Sequence, residues 1–160
     1  MLWLATGLGA GRSPVAPGTV GSLWGLAWTW WLLTALPDHP AIRWLLVIAV
    51  LLVGVAICNR AARLIGDADP SSVVFDEIAT VPLVFLPLES LGVDVAPATW
   101  WWLVPVGWVC FRVLDIIKPW PANRLERLHG GWGIMADDVA AAAYSAGMVS
   151  LTFHLMQAIT

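Results

Sequence analysis

Five carboxylates stand where their types and spacing could do chemistry. Asp76 is followed by Glu77, Asp115 lies three residues after Arg112 and three before Lys118, and Asp137 is followed by Asp138. Ionisable side chains set in apolar stretches are costly and mark functional sites by default. Carboxylates gathered together repel one another, and a hard divalent cation resolves that repulsion. Magnesium prefers carboxylate and phosphate oxygen. Arg112, Lys118 and, upstream, Arg12 are cations suited to phosphate oxygens. The combination points to phosphoryl chemistry at the depth of lipid headgroups. Asp76, Glu77, Asp137 and Asp138 are the expected Mg²⁺ ligands. Asp115 is expected as a further ligand or as the base that orients a water; His129 could protonate the leaving alkoxide, or Mg²⁺ could stabilise it instead.

Blander explanations compete at each position. Asp76 and Glu77 could be buried ion-pair partners. Arg112, Asp115 and Lys118 share a helix face and could be a salt-bridged helix end. One of Asp137 and Asp138 could cap a helix start. His129 could be a surface group opening the glycine-rich turn through Gly130, Gly131 and Gly133. The loop from Gly9 to Thr19 leads into an apolar run, and a helix start there, at Gly18 and Thr19, would favour an anion. Gly21 and Gly25 form a GxxxG step suited to helix packing.

Composition sets the surroundings of these residues. The chain has 160 residues, 59% hydrophobic and 12% charged, where soluble domains run at about 45–50% and about 25%. That excludes a soluble domain and a disordered chain. A net charge of -3 leaves no basic footprint for nucleic acid. Cys58 and Cys110 make neither a disulfide framework nor a metal-ligand spacing. The expected fold is an all-α, polytopic integral membrane bundle forming one domain over residues 1–160. No signal peptide is expected at the N-terminus.

Charge-free runs cover residues 13–37, 44–59, 78–88, 95–111 and 139–160. They predict about five membrane segments, since a span needs about 20 mostly apolar residues. The third run is short. Asp69-Pro70 reads as a helix start, and a helix from Pro70 to Leu88 would place Asp76 and Glu77 roughly 10 Å below that start. Pro82 would kink it. This segment is therefore expected either as a broken crossing or as a re-entrant one. For the first run, Thr19 is expected as the helix N-cap. If all five cross, residues 1–19, 59–71 and 112–136 share one side with seven of the eight basic residues. The positive-inside rule makes that side cytoplasmic. Arg43 stays on the other side, and the second run reaches spanning length if Arg43 or Arg60 snorkels at an end. Trp30, Trp31, Trp44, Trp100, Trp101 and Trp102 fall at the other side too, as an interfacial belt would.

Four blocks resemble the phosphatidylglycerophosphatase A family. They are residues 13–22 (Ser-Pro-Val-Ala-Pro-Gly-Thr-Val-Gly-Ser), 74–77 (Val-Phe-Asp-Glu), 111–121 (Phe-Arg-Val-Leu-Asp-Ile-Ile-Lys-Pro-Trp-Pro) and 129–138 (His-Gly-Gly-Trp-Gly-Ile-Met-Ala-Asp-Asp). The similarity departs from the common pattern at Phe75, Thr80 and Ala122-Asn123, without losing a charged candidate. It implies Mg²⁺-dependent hydrolysis of phosphatidylglycerophosphate to phosphatidylglycerol and phosphate. It also implies a multi-pass protein of the bacterial inner membrane, with the site at the cytoplasmic face. Direct attack by water and a covalent aspartyl-phosphate both suit these residues. Rival functions are a phosphatase of another phosphomonoester lipid such as phosphatidic acid, a divalent-cation transporter, and a membrane scaffold. Oligomeric state is left open.

Overall fold

The computed structural model describes residues 1–95 and 97–159. Those residues form helices and no strand. In chain order they are α1 (Leu2–Ala5), a 3₁₀ segment (Gly7–Arg12), α2 (Pro17–Ala35), α3 (Pro40–Ile65), α4 (Phe75–Thr80), α5 (Pro82–Ser90), a 3₁₀ turn (Pro97–Thr99), α6 (Trp100–Ile117), α7 (Ala122–Leu125) and α8 (Gly131–Ile159).

Proline and left-handed residues punctuate the long helices. Pro17 and Pro40 open α2 and α3, where a fixed φ is already helical and the missing N–H is one that would go unbonded. Gly66 ends α3 at φ 81°, its amide donating to the Ala62 carbonyl at 2.9 Å. Lys118 ends α6 at φ 47°, and Pro119 prevents continuation. Thr19 is not the N-cap of α2. The helix begins two residues earlier at Pro17, after Ala16 has turned the chain at φ 46°.

The third run becomes α4 and α5, two short helices meeting at Val81, which keeps helical angles of φ -51° and ψ -39°. Pro82 makes the break. The expected start at Asp69-Pro70 is not observed. Residues 70–74 form a turn, with the Val73 amide on the Pro70 carbonyl at 2.8 Å and the Val74 amide on Ala5 of α1 at 2.9 Å. That tertiary hydrogen bond holds the turn out of the helix. Asp76 and Glu77 therefore lie in the first turn of α4 rather than well below a helix start.

α4 and α5 form the interior of the bundle. Ala79, Thr80, Val81, Val84, Phe85 and Leu88 are buried. α2 reaches α4 closely because its facing residues are glycines: a Cβ on Gly21 would sit 2.7 Å from Val74 Cβ, and one on Gly25 would sit 2.7 Å from Val81 Cβ. The GxxxG step thus serves packing. Leu103 and Phe111 of α6 join Ala142 and Val149 of α8 and Phe85 of α5 in one apolar cluster.

Three helices, α3, α6 and α8, are long and apolar enough to cross a membrane, fewer than the five expected. α2 has the length and no charge, but four tryptophans with glycines and hydroxyls lower its hydropathy. α4 and α5 are too short, and they face protein rather than surroundings. All five segments nevertheless run alternately between the same two ends. At one end Arg43 of α3 meets Glu89 of α5, Trp30 of α2 packs edge-on to Trp100 of α6 with centroids 4.6 Å apart, and His154 of α8 bonds the Leu91 carbonyl at 2.9 Å. Trp44 and Trp100 pack with Leu32 and Leu86 there, while Trp101 is 80% exposed.

Of the two arginines at the ends of the second run, Arg60 is exposed and Arg43 turns inward. It is 2% exposed and grips Glu89 in two hydrogen bonds of 2.9 and 2.7 Å. A planar guanidinium matches a carboxylate bidentately, which satisfies the buried charge. Breaking such a pair costs about 3–5 kcal/mol when it strands a buried ion. Glu89 is the more exposed partner, so Glu89→Ala, which strands Arg43, should destabilise the fold more than Arg43→Ala. Unfolding in detergent micelles checks that order; equal or reversed losses would overturn it.

Candidate active site

The carboxylates meet at the opposite end. A cavity of about 250 Å³ is lined by the start of α2, the first turn of α4, the end of α6 and the first two turns of α8. Asp76, Glu77, Asp115, Asp137 and Asp138 all line it, with Arg112, Lys118, Gly18 and Asp69. Seven charged candidates that are distant in sequence therefore share one space.

Local structure explains each placement. α8 begins at Gly131, where the chain crosses α3 so tightly that a Cβ would strike the Val55 carbonyl. Asp137 and Asp138 then fall about two turns into α8, at 5% and 3% exposure. Neither caps the helix. Gly18 stands against Glu77, where a Cβ would collide with Oε1 and approach Arg112 Nη2 to 3.0 Å. Trp108 ties α6 to α2 through Nε1 donating to Ser22 Oγ at 2.9 Å, and Ser22 in turn donates to the Thr19 carbonyl at 3.0 Å.

Two cations sit among the acids. Arg112 Nη1 donates to Asp115 Oδ2 at 2.8 Å and lies 3.0 Å from Glu77 Oε2. The second contact is an ion pair whose geometry does not make a hydrogen bond, so Glu77 Oε2 keeps an unused lone pair. Lys118 Nζ is 2.6 Å from Asp137 Oδ2 and 3.0 Å from Glu126 Oε2. Burial works against its ammonium, but Asp137 and Glu126 outweigh burial and hold its pKa above that of an ordinary lysine. The salt-bridged helix end is therefore real, and it reaches beyond its own helix.

Buried acceptors remain unpaired. Asp76 Oδ1, Glu77 Oε2, Asp137 Oδ1 and Asp138 Oδ2 are buried without a hydrogen-bond partner, as is the donor Arg112 Nε. Buried polar atoms are nearly always satisfied, so four orphan carboxylate oxygens around one cavity leave places for a cation, bound water or a proton. Among the described residues, no three acidic, imidazole or thiol groups stand ready-made as an ion cage. Magnesium does not need one: it keeps several waters and takes one or two carboxylates plus substrate phosphate. The donor set fits that ion.

A model of the phosphatidylglycerophosphatase A family matches residues 3–153. The chain belongs to that family. It is 38% identical over 152 residues to phosphatidylglycerophosphatase A of Escherichia coli K12, covering 94% of this chain and 82% of that protein. It is 36% identical to the protein of the same name from Haemophilus influenzae, covering 89% and 82%. It is also 37% identical to a putative phosphatidylinositol-3-phosphatase of Bacteroides thetaiotaomicron, covering 89% and 86%. No solved structure matches the chain significantly. Family membership makes it a phosphoric monoester hydrolase.

Three expected site residues stand apart from this cavity. Arg12 is exposed and does not line it. Thr19 uses its carbonyl for Ser22 and lies one residue beyond the part of α2 that faces the acids. His129 is exposed and lines a neighbouring cavity. Asp69 is the residue that sequence reasoning missed. It reads as a helix start, yet the turn at 70–74 swings it to the cavity wall. Its signal was a charge two residues beyond Asp67 and close before Asp76.

Gly18→Ala should lower phosphatase activity at least about tenfold, because a Cβ displaces Glu77 and Arg112 and even small misplacement is costly. Gly147→Ala meets nothing within 4 Å and should leave activity unchanged. Phosphate release by the two purified variants distinguishes them.

Proposed function

We propose that the chain hydrolyses the terminal phosphomonoester of phosphatidylglycerophosphate, giving phosphatidylglycerol and phosphate, with Mg²⁺ held by Asp76, Glu77, Asp137 and Asp138. The observation that carries this reading is the set of four unpaired buried carboxylate oxygens around a cavity that also holds Arg112 and Lys118. Those acceptors suit a hard cation, and those cations suit a phosphate. Bound there, Mg²⁺ would supply positive charge to the phosphate and lower the pKa of a water.

The chain's own residues do the rest. Arg112 and Lys118 neutralise the non-bridging phosphate oxygens, and fixed charges in a water-poor cavity act strongly there. The amides at the start of α2 around Gly18 face the same oxygens. Asp115, held by Arg112, orients the attacking water and takes its proton. The water oxygen bonds to phosphorus, the bond from phosphorus to the glycerol oxygen breaks, and the proton taken by Asp115 passes to that oxygen. The chain lies in the bacterial inner membrane with this end at the cytoplasmic face, where seven of the eight basic residues gather. The acyl chains then stay in the bilayer while the phosphate reaches the site.

A second reading has a specific support. The Bacteroides relative is named for phosphatidylinositol 3-phosphate, so another phosphomonoester lipid is the alternative substrate. Both named lipids carry a phosphomonoester on a polyol joined to diacylglycerol through a phosphodiester.

Phosphate release from phosphatidylglycerophosphate in mixed micelles tests the reading. Release should require Mg²⁺ and stop with EDTA. Asp76→Asn and Asp138→Asn should each lose at least about a hundredfold in rate while staying folded. Near wild-type rates in both variants would remove the metal assignment. Equal release from phosphatidic acid would keep the chemistry and remove the headgroup preference.

A further inference from the structure

The carboxylate site occupies only the smaller of two adjoining cavities. Beside it lies a space of about 780 Å³, enclosed by the end of α3, the loop after it, and the segment between α7 and α8. The two spaces share Asp69, Ile134 and Asp137 on their walls. The smaller one holds the groups suited to a phosphomonoester. The larger one is lined by Arg63, Arg127, His129 and Asn59. We propose that this cavity binds the second anionic group of the substrate, the phosphodiester that joins the glycerol to diacylglycerol. This rests on the reading of the function given above.

The charges of the wall support an anion. Arg63 and Arg127 make no ion pair among the described residues, as is true of Arg12, Arg60 and Arg124, but of these five only Arg63 and Arg127 line this cavity. The acids of the same wall are mostly engaged. Glu126 and Asp137 are held by Lys118 at 3.0 and 2.6 Å. Asp67 accepts the Asp69 amide at 3.3 Å. Two unpaired guanidiniums facing one cavity are suited to a phosphodiester, since guanidinium binds phosphate oxygens in a fork. The remaining acceptors of Asp67 and Asp69 suit the free hydroxyl on the glycerol between the two phosphates. His129 takes a different part from proton donation to the alkoxide: it stands with the arginines, away from the reacting phosphate.

The lipid is thus held at two phosphates, one reacting and one not. Phosphatidic acid has no second phosphate and cannot use Arg63 and Arg127. The cavity therefore sets headgroup preference rather than rate.

The test uses the full chain in mixed micelles with phosphatidylglycerophosphate. Arg63→Gln, Arg127→Gln and the double variant are compared with Arg60→Gln and Arg124→Gln, which remove exposed cations that do not line the cavity. The double variant should raise KM about tenfold with kcat within about twofold, the size expected for lost charge-assisted hydrogen bonds. It should also weaken inhibition by phosphatidylglycerol, which keeps the diester but lacks the reacting phosphate. Inhibition by inorganic phosphate should not change. Unchanged KM and unchanged phosphatidylglycerol inhibition would overturn the proposal. So would an equal rise in KM in the Arg60 and Arg124 variants, which would reduce the effect to general surface charge. If the wild-type chain released no phosphate from this lipid, the functional reading itself would fall, and the proposal with it.

Discussion

Burying acids at one end of an interior helix is the constraint on which the rest of the structure depends. Asp76 and Glu77 occupy the first turn of α4, and α4 has protein on nearly every side. A carboxylate taken out of water needs a cation, hydrogen bonds or a proton. Glu77 receives part of this from Arg112 of α6, and Asp137 receives part from Lys118 at the end of the same helix. α6 must therefore end where it does. Its αL residue at Lys118 and the proline behind it fix that end. The glycines of α2 are required for the same reason: only without side chains at positions 18, 21 and 25 can α2 lie against α4 and bring its start to Glu77.

The other end of the same interior segment is fixed by a different device. Arg43 and Glu89 pair through both Nη atoms and both carboxylate oxygens, and neither residue lines the cavity that holds the acids or the one beside it. The contrast separates structural from functional charge. A pair of opposite charges with matched geometry locks two helices. A cluster with more acids than cations, and with orphan oxygens, is left poised for something else. This contrast also disfavours a transport pathway: the unpaired acids gather at one end rather than along the length of the bundle.

Much of the site was legible because its residues betray themselves by cost. A charge in an apolar run is noticeable in any single sequence, and Asp76, Glu77, Arg112, Asp115, Lys118, Asp137 and Asp138 were all found that way. Helical spacing put Arg112 and Asp115 together, and the structure has them at 2.8 Å. What was not legible depended on tertiary contacts. The stretch 70–74 has the letters of a helix start, but the hydrogen bond from Val74 to Ala5 decides against it. That one turn moves Asp69 to the site. Arg43 had the position of a snorkelling residue, and only the end of α5 nearby shows why it turns inward. His129 and Arg12 sit on loops, whose paths no periodicity specifies. Fewer helices than expected have the length and hydropathy of a span, because charge-free length registers neither the tryptophans, glycines and hydroxyls of α2 nor the break at Pro82 between α4 and α5.

The enclosure of α4 and α5 has a mechanical consequence. A site assembled on the ends of four helices moves whenever any of them slides, and misplacement of reacting groups by an ångström is expensive. α4 and α5 are anchored at both ends by ion pairs to different helices, α6 at one and α3 at the other. Between those anchors the packing is close and apolar, with Val81, Val84, Phe85 and Leu88 buried. Pro82 interrupts the helix between them, and Thr80 just before it returns its hydroxyl to the Asp76 carbonyl at 2.8 Å. The broken segment is therefore held at both ends and filled around its break. It acts as a strut that sets the height of Asp76 and Glu77 relative to the ends of α6 and α8. Sequence supplies the acids, but this strut turns acids from separate segments into one site.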